Sequence, residues 1–299
     1  MITILGPTAS GKTQLAVELA SKIDGEIISA DSRQVYRGMD IGTGKDLAIY
    51  QINGEKIPYH LIDIVDAGES YNVHRFQQDF QVAYDDIISR NKTPILCGGT
   101  GLYIEAVLKN FQFTAVPIDL VLREELEQKS TEELTEIFNQ NPSTYTPFAD
   151  ISTRKRLIRA IEIGKMVNGE WRMENGKLRI ENGESKIYGL NPPLETRRER
   201  ITRRLQERLK NGLIEEVESL LKGGVPAEKL IFYGLEYKFI TQYLQGDFTL
   251  EIMTERLNIA IHQFAKRQMT YFRKMERDGL DIQWVTSIAE LGLKKYKKD

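Results

Sequence analysis

The feature that most constrains the fold of this chain is one glycine-rich segment near its start. The segment reads Gly6-Pro7-Thr8-Ala9-Ser10-Gly11-Lys12-Thr13 and matches the pattern G-x-x-x-x-G-K-[ST] in full, between an apolar strand pattern and a helical one. In that context backbone N–H groups form a concave nest, the helix N-terminus adds partial positive charge, and Lys12 reaches the terminal phosphate. The Thr13 hydroxyl is placed to hold Mg²⁺. The sequence therefore predicts a site for a di- or triphosphate, without specifying the reaction.

Strand and helix patterns alternate along the first third of the chain. Strands are predicted at 2–5, 26–30, 60–65 and 94–97, with helices after the first and at 73–90. Such alternation favours βαβ units and a parallel sheet, in which ligands bind at the carboxyl ends of the strands. Those ends carry Gly6, Asp31 and Gly98, so we expect a site assembled from three distant parts of the chain.

The pattern changes after about residue 110. Two charge-rich helices, a hairpin with Asn-Gly turns and then a series of amphipathic helices are predicted there, over 119–140, 152–167, 170–190 and 195–299. We therefore predict an α/β fold, a P-loop NTPase-like parallel sheet flanked by helices, built from 1–112 and 187–299. Residues 113–186 are predicted to form a mostly helical inserted lobe, and the C-terminal part is predicted to be helical.

Charge and cysteine content narrow the possible functions. The formal net charge of −2 gives no sign of a nucleic-acid binder overall, but arginines are concentrated in 196–210 and basic residues in 262–277. Charge alone favours solvated helix faces there, although a polyanion binder needs only a basic face. A single cysteine, Cys97, excludes a disulfide framework or a thiolate zinc site. With a strand from the start and no apolar run of about 20 residues, we expect a cytoplasmic protein without signal peptide or membrane association. We also expect a monomer.

Asp31 is the candidate proton acceptor among these strand-end residues. A carboxylate at the end of a neighbouring strand could accept a proton from a group that attacks near the phosphate loop. An isolated aspartate after a strand is more often a turn or a helix cap. The polar neighbours Ser32 and Gln34 favour a functional site at this position.

Eight short segments, spread over nearly the whole chain, match one family pattern: 6–13, 31–34, 38–45, 58–63, 98–103, 159–162, 212–217 and 265–268. Together they resemble the tRNA dimethylallyltransferase family, also called tRNA isopentenyltransferases. The combination of Asp-Ser-x-Gln at 31–34 with Gly-Gly-Thr-Gly-Leu-Tyr at 98–103 is specific, whereas many unrelated enzymes share the loop at 6–13. The resemblance implies transfer of a dimethylallyl group to N6 of adenosine 37 in tRNA, with release of diphosphate.

The resemblance also implies roles for individual residues. The loop would hold the diphosphate of dimethylallyl diphosphate rather than ATP, assisted by Mg²⁺ at Thr13, and Arg204 would approach the same phosphates. Asp31 would bind the adenine amine and take its proton as N6 attacks the allylic carbon. Thr100 would help to hold the acceptor base near Asp31.

Contacts with the anticodon stem-loop of tRNA are implied by the same resemblance. The candidate residues are Asp31, Ser32, Arg33, Gln34, Lys155, Arg156, Arg159, Lys266 and Arg267, and the lobe at 113–186 would clamp the RNA. Three of the departures from the family pattern bear on these contacts: Arg33 stands where many members have methionine, Lys155 where glutamine is common, and Glu236 at an expected glycine. They leave the anticodon preference open.

Three other functions remain compatible with parts of the pattern. The same loop could serve prenylation of free AMP, ADP or ATP, although the basic helices and the large insert favour a macromolecular acceptor. A small-molecule kinase could hold ATP in the loop and use Asp31 as its base. A tRNA-binding module with a regulatory nucleotide site is the third possibility, and an intact Lys12 and Asp31 argue against it.

Overall fold

This computed structural model describes residues 1–52, 54–169, 185–286 and 288–291. They form two compact units, the larger from 1–108 with 185–291 and the smaller from 109–169. The described strands are β1 Ile2–Leu5, β2 Gly25–Ala30, β3 Gln51–Ile52, β4 Glu55–Lys56, β5 Tyr59–His60, β6 Thr93–Gly98, β7 Lys186–Leu190 and β8 Ile282–Val285. The described α-helices are α1 Lys12–Ile23, α2 Val73–Ser89, α3 Gly101–Leu108, α4 Leu120–Glu127, α5 Thr131–Gln140, α6 Arg154–Asn168, α7 Leu194–Lys210, α8 Leu213–Lys222, α9 Ala227–Tyr233, α10 Leu235–Leu244 and α11 Leu250–Arg277.

A parallel sheet in the order β5-β2-β6-β1-β7-β8 organises the larger unit. Its central strands are short apolar runs; all six residues of β2 are buried, as expected where helices cover both faces of a parallel sheet. One face packs against α1, through Ile4, Ile27, Ile95 and Cys97 of the sheet and Leu15 and Leu19 of the helix. The predicted α/β fold with a parallel sheet is confirmed.

Two features of the sheet differ from the prediction. Of the third predicted strand, 60–65, only His60 belongs to the sheet, in the short strand Tyr59–His60, and Val65 forms an isolated parallel bridge with Tyr36. Between them Leu61 and Asp63 adopt positive φ angles of 62° and 56°, which interrupt an extended chain. The strand β8, at the edge of the sheet beside β7, was missed because it has only four residues and lies in a C-terminal part whose pattern is otherwise helical.

The smaller unit is a three-helix assembly in its described part. The helix predicted over 119–140 is two helices, α4 and α5, because Ser130 caps α5 in a capping box with Glu133 and so starts a new helix. Leu134, Phe138 and Leu157 are among the residues that pack its core. The helix predicted over 152–167 is α6.

The predicted lobe boundaries can be compared with the observed units. The smaller unit begins at Lys109, where the prediction had 113, and Lys186 pairs with Ile2 in the sheet. The turns of the predicted hairpin, at 175–176 and 182–183, lie outside the described residues. None of the described helices has the length and apolar character to cross a bilayer.

Candidate active site

The carboxyl ends of three neighbouring strands meet in register. Gly98 of β6 pairs with Leu5 of β1 on one side and with Ala30 of β2 on the other. The next residues in each strand are therefore neighbours at one edge of the sheet. They begin the three segments that the sequence singled out: the glycine-rich loop at 6–13, the turn at 31–34 and the segment at 99–103.

The glycine-rich loop connects β1 to α1 with two residues in the left-handed region. Ala9 has a φ of 60° and Gly11 a φ of 94°, which turns the backbone sharply before Lys12 begins the helix. Alternating backbone conformations of this kind direct successive N–H groups inwards as an anion-binding nest. The helix N-terminus behind them adds partial positive charge.

Lys12 lies at the centre of the site. Its Nζ donates to the Pro7 carbonyl at 3.5 Å, and a Cβ placed on Gly99 would be 3.5 Å from the same atom. The ammonium therefore lies between the loop and the Gly98-Gly99 turn. Burial lowers the pKa of Lys12; the Arg204 charge acts in the same direction, while Asp31 opposes it. Lys12 is therefore a desolvated cation, and a bound anion would compensate its charge.

Gln268 of α11 links two of the three segments. Its Oε1 accepts the backbone N–H of Thr8 at 2.8 Å, and its Nε2 donates to the Gly99 carbonyl at 2.8 Å. A side chain on Gly99 would meet this amide, since an added Cβ would be 2.6 Å from Nε2. The sequence placed Gln268 only inside the matching segment 265–268 and missed this role, because 260 residues separate it from Thr8.

Three arginines of α7 face the glycine-rich loop and the loop at 38–45. Arg200, Arg204 and Arg208 recur every four residues and so share one helix face. Arg204 donates to the Thr8 hydroxyl, and Arg200 donates to the Ser10 carbonyl at 3.4 Å. Burial lowers the pKa of Arg204 to about 10, which leaves it charged at neutral pH. The structure thus places Arg204 against the loop.

Asp31 and Thr100 belong to one hydrogen-bonded turn. Oδ1 of Asp31 accepts the backbone N–H of Arg33 at 2.9 Å. The Thr100 hydroxyl accepts the backbone N–H of Ser32 at 3.1 Å and lies 3.4 Å from the Ser32 hydroxyl. Thr100 therefore holds the turn that carries Asp31. Its predicted direct contact with an acceptor base stays a prediction.

The segment 38–45 is held by charged groups from other helices. Glu216 accepts the backbone N–H groups of Asp40, Ile41 and Gly42 at 2.7–3.0 Å. Arg208 donates to the Gly42 carbonyl at 3.4 Å and pairs with Glu236 at 3.2 Å. Glu236, which departs from the family pattern, thus neutralises an arginine beside the site.

The buried Lys45 completes this brace. Its ammonium donates to the Tyr36 carbonyl and pairs with Asp40 and Asp63. Gln34, a predicted RNA contact, donates to the Gly44 carbonyl at 3.3 Å. Gln34 therefore connects the turn at 31–34 to the segment 38–45.

The side chains of the remaining predicted tRNA contacts differ in their exposure and in their partners within the protein. Lys266 and Arg267 are exposed on α11, and Lys155 is exposed near the start of α6. Arg156 pairs with Asp150 at 2.7 Å. Arg159 donates to the carbonyls of residues 116 and 117 and pairs with the buried Glu162 at 3.5 Å. The guanidinium of Arg159 thus has partners inside the smaller unit, and its contact with RNA stays a prediction.

The donor atoms at the loop suit a hard metal ion. Among the described residues, no group of three or more His, Cys, Asp or Glu could hold a metal. Mg²⁺ is typically bound by one or two protein oxygens, with water and substrate phosphates as the other ligands. The Thr13 hydroxyl, in the first turn of α1, fits that donor set as the protein's oxygen ligand.

Comparison with known proteins decides the family. A family model described as IPP transferase matches residues 34–275. The chain belongs to the IPP transferase family. A second model, described as Isopentenyl transferase, matches residues 1–55. The family resemblance predicted from the motifs is confirmed.

Curated relatives match the chain over almost its whole length. A tRNA dimethylallyltransferase 2 from Porphyromonas gingivalis is 53% identical over 96% of this chain and 94% of its own. A tRNA dimethylallyltransferase 1 from Parabacteroides distasonis is 53% identical over 95% and 92%.

Solved structures share the fold. A tRNA isopentenylpyrophosphate transferase from Bacillus halodurans superposes with a TM-score of 0.67 at 33% identity, covering 95% of this chain and 89% of its own. A eukaryotic dimethylallyltransferase acting on tRNA has a TM-score of 0.74 at 24% identity, covering 97% of this chain and 75% of its own. The second likeness bears on the fold alone.

Proposed function

We propose that this chain transfers a dimethylallyl group from dimethylallyl diphosphate to N6 of adenosine 37 in tRNA and releases diphosphate. The observation that carries the proposal is the meeting of two chemically different groups at one edge of the sheet. A cationic cradle of loop, Lys12 and Arg204 lies beside the turn that presents the Asp31 carboxylate. Membership of the IPP transferase family supports this assignment.

The cradle has the chemistry to stabilise a leaving diphosphate. Breaking the allylic C–O bond places negative charge on the departing oxygen, and fixed donors stabilise that charge more in the transition state than in the ground state. Lys12 and Arg204 are desolvated, so each gains more from a bound polyanion than an exposed side chain would. Mg²⁺ bound at Thr13 would neutralise further charge on the phosphates.

Asp31 has the chemistry to serve the acceptor. The exocyclic amine of adenine is a weak nucleophile, and a carboxylate that accepts its hydrogen bond orients the amine and removes the proton as the N–C bond forms. The bond from Arg33 holds one carboxylate oxygen, and the other oxygen can accept from the amine. Thr100 fixes the turn through Ser32.

A macromolecular acceptor fits the surface of the larger unit better than a free nucleotide. Lys266 and Arg267 are exposed on α11 and directly precede Gln268, whose side chain contacts the glycine-rich loop. Phosphate contacts of this kind position an RNA without reading its sequence. The adenosine 3′ of the anticodon lies in a single-stranded loop, from which a base can be turned out into a pocket. We further propose that the smaller unit clamps the stem and that the protein acts as a cytoplasmic monomer.

Transfer of label from radiolabelled dimethylallyl diphosphate to tRNA tests the proposal. Wild-type protein should label tRNA, and Asp31→Ala should lower the rate about 10²- to 10⁴-fold, the usual contribution of a general base. Asp85→Ala, which removes an exposed carboxylate on α2, is the matched control and should retain wild-type activity.

The alternatives give different results in the same assay. Label on AMP, ADP or ATP but never on tRNA would assign the chain to free-nucleotide prenylation. ATP consumption without prenyl transfer would indicate a kinase. Binding of tRNA without either reaction would leave an RNA-binding module.

A further inference from the structure

Phe232, near the end of α9, is a large apolar side chain that the fold leaves in solvent. It is 70% exposed, while the next residue, Tyr233, is 1% exposed. Isolated exposed apolar residues are common on protein surfaces and need no explanation by themselves. The surroundings of Phe232 distinguish it from those residues.

Tyr233, the residue after Phe232, anchors the end of α9 to the surrounding segments. The Tyr233 hydroxyl donates to the Glu69 carbonyl and accepts the Gly68 N–H, each at 2.7 Å. The Tyr233 ring packs 4.3 Å from that of Tyr36, centroid to centroid. Because its neighbour is fixed by three contacts, Phe232 projects from a rigid position, as a preorganised binding surface requires.

A cation lies over the exposed ring. The guanidinium of Arg33 is 5.5 Å from the centroid of Phe232, within the range of a cation–π contact. The backbone N–H of Arg33 is the group that holds Asp31. Two residues span at most about 7 Å of chain, so the aromatic ring and its cation lie beside the turn that presents the proposed base.

We propose that Phe232 and Arg33 form a stacking site for a nucleobase adjacent to the adenosine that is modified. The inference rests on the proposed function. Once the target base is turned out towards Asp31, its neighbours in the strand lose a stacking partner. The Arg33 guanidinium covers one face of the Phe232 ring, the opposite face of this exposed ring provides a replacement stacking surface, and the arginine charge attracts the RNA backbone. Phe232 thereby stabilises the open form of the anticodon loop.

Substitution of Phe232 tests this site. Base–aromatic stacking contributes about 1–3 kcal/mol per base, so Phe232→Ala should raise KM for an anticodon stem-loop RNA roughly 5- to 150-fold. KM for dimethylallyl diphosphate should stay within about twofold. Phe232→Trp should bind RNA like the wild type, because, unlike Phe232→Ala, it keeps an aromatic face for stacking. Val82→Ala, which shortens a 72%-exposed side chain on α2, is the control for loss of exposed apolar surface.

A fluorescent base reports stacking directly. With 2-aminopurine next to the target adenosine, its emission in the complex should be lower with wild-type protein and with Phe232→Trp than with Phe232→Ala, in which the opened base has no ring to stack on. An unchanged KM for RNA in Phe232→Ala would overturn the proposal. So would an equal rise in KM for dimethylallyl diphosphate, which would place the ring against the prenyl donor instead. If the wild type transfers no label to RNA, the proposed function itself fails.

Discussion

Removal of the Gln268 side chain should lower kcat/KM for dimethylallyl diphosphate, the prenyl donor, without unfolding the protein. This side chain is 9% exposed and makes two hydrogen bonds of 2.8 Å, one to the glycine-rich loop at Thr8 and one to Gly99. A buried polar group left without its partner costs about 1–3 kcal/mol. Thr8 is half-buried, so water can replace part of one bond. The expected net loss is about 2 kcal/mol, or roughly 30-fold in kcat/KM.

Steady-state kinetics with dimethylallyl diphosphate as the varied substrate measures this loss. We expect kcat/KM for the donor to fall roughly 30-fold in Gln268→Ala. Gln268→Glu should be at least as impaired: it keeps the acceptor for Thr8, but it cannot donate to Gly99 and it brings negative charge to the cradle. The control is Gln263→Ala, an exposed glutamine on the same helix, which should behave as wild type.

Two results would refute the reasoning about Gln268. One is a kcat/KM within about twofold of wild type in Gln268→Ala, which would show that the loop holds its geometry without the bridge. The other is a large fall in melting temperature that accounts for the lost activity. Thermal unfolding of both variants, measured beside the kinetics, separates these outcomes.

Three further predictions concern other parts of the larger unit. Arg204→Lys keeps the charge but loses the planar fork, so kcat/KM for the donor should fall about tenfold or more; wild-type kinetics would contradict its role. Burial raises the pKa of Cys97 to about 12, so mass spectrometry should show iodoacetamide labelling only after unfolding, and prompt native labelling would contradict it. Arg90 lowers the pKa of the buried Glu26 by hydrogen bonding, so Arg90→Ala should lower the unfolding free energy at pH 7, because it leaves a buried carboxylate without this partner. That stabilisation exists above the ordinary glutamate pKa and is lost as pH falls through the lowered one, so urea unfolding should show the difference closing below about pH 4; a constant difference would contradict this assignment.

The parts of the fold that the sequence predicted best are those with local signals. The glycine-rich loop, α2 and the apolar strand β6 each depend on patterns within a few residues. The strand predicted at 60–65 was wrong between His60 and Val65, since the left-handed backbone at Leu61 and Asp63 depends on the surrounding loops. A capping box divided the helix predicted over 119–140, and Ser130 with Glu133 could have revealed it.

The sequence predicted the part of the site at the strand ends, but it did not reveal the side chains that support this part from distant helices. The register of β1, β6 and β2 brings Asp31 to the loop, as the strand-end rule for parallel sheets predicts. Gln268 and Glu216 support the site from helices far along the chain. No local pattern specifies which face of such a helix meets the sheet, because tertiary packing decides it.

The modified nucleoside itself is the most direct test of the central claim. After incubation with dimethylallyl diphosphate, Mg²⁺ and unmodified tRNA, the RNA is digested and its nucleosides and oligonucleotides are analysed by mass spectrometry. The account predicts N6-dimethylallyladenosine immediately 3′ of the anticodon and one diphosphate released for each group transferred. An unmodified adenosine at that position, or a prenyl group found only on a free nucleotide, would contradict it.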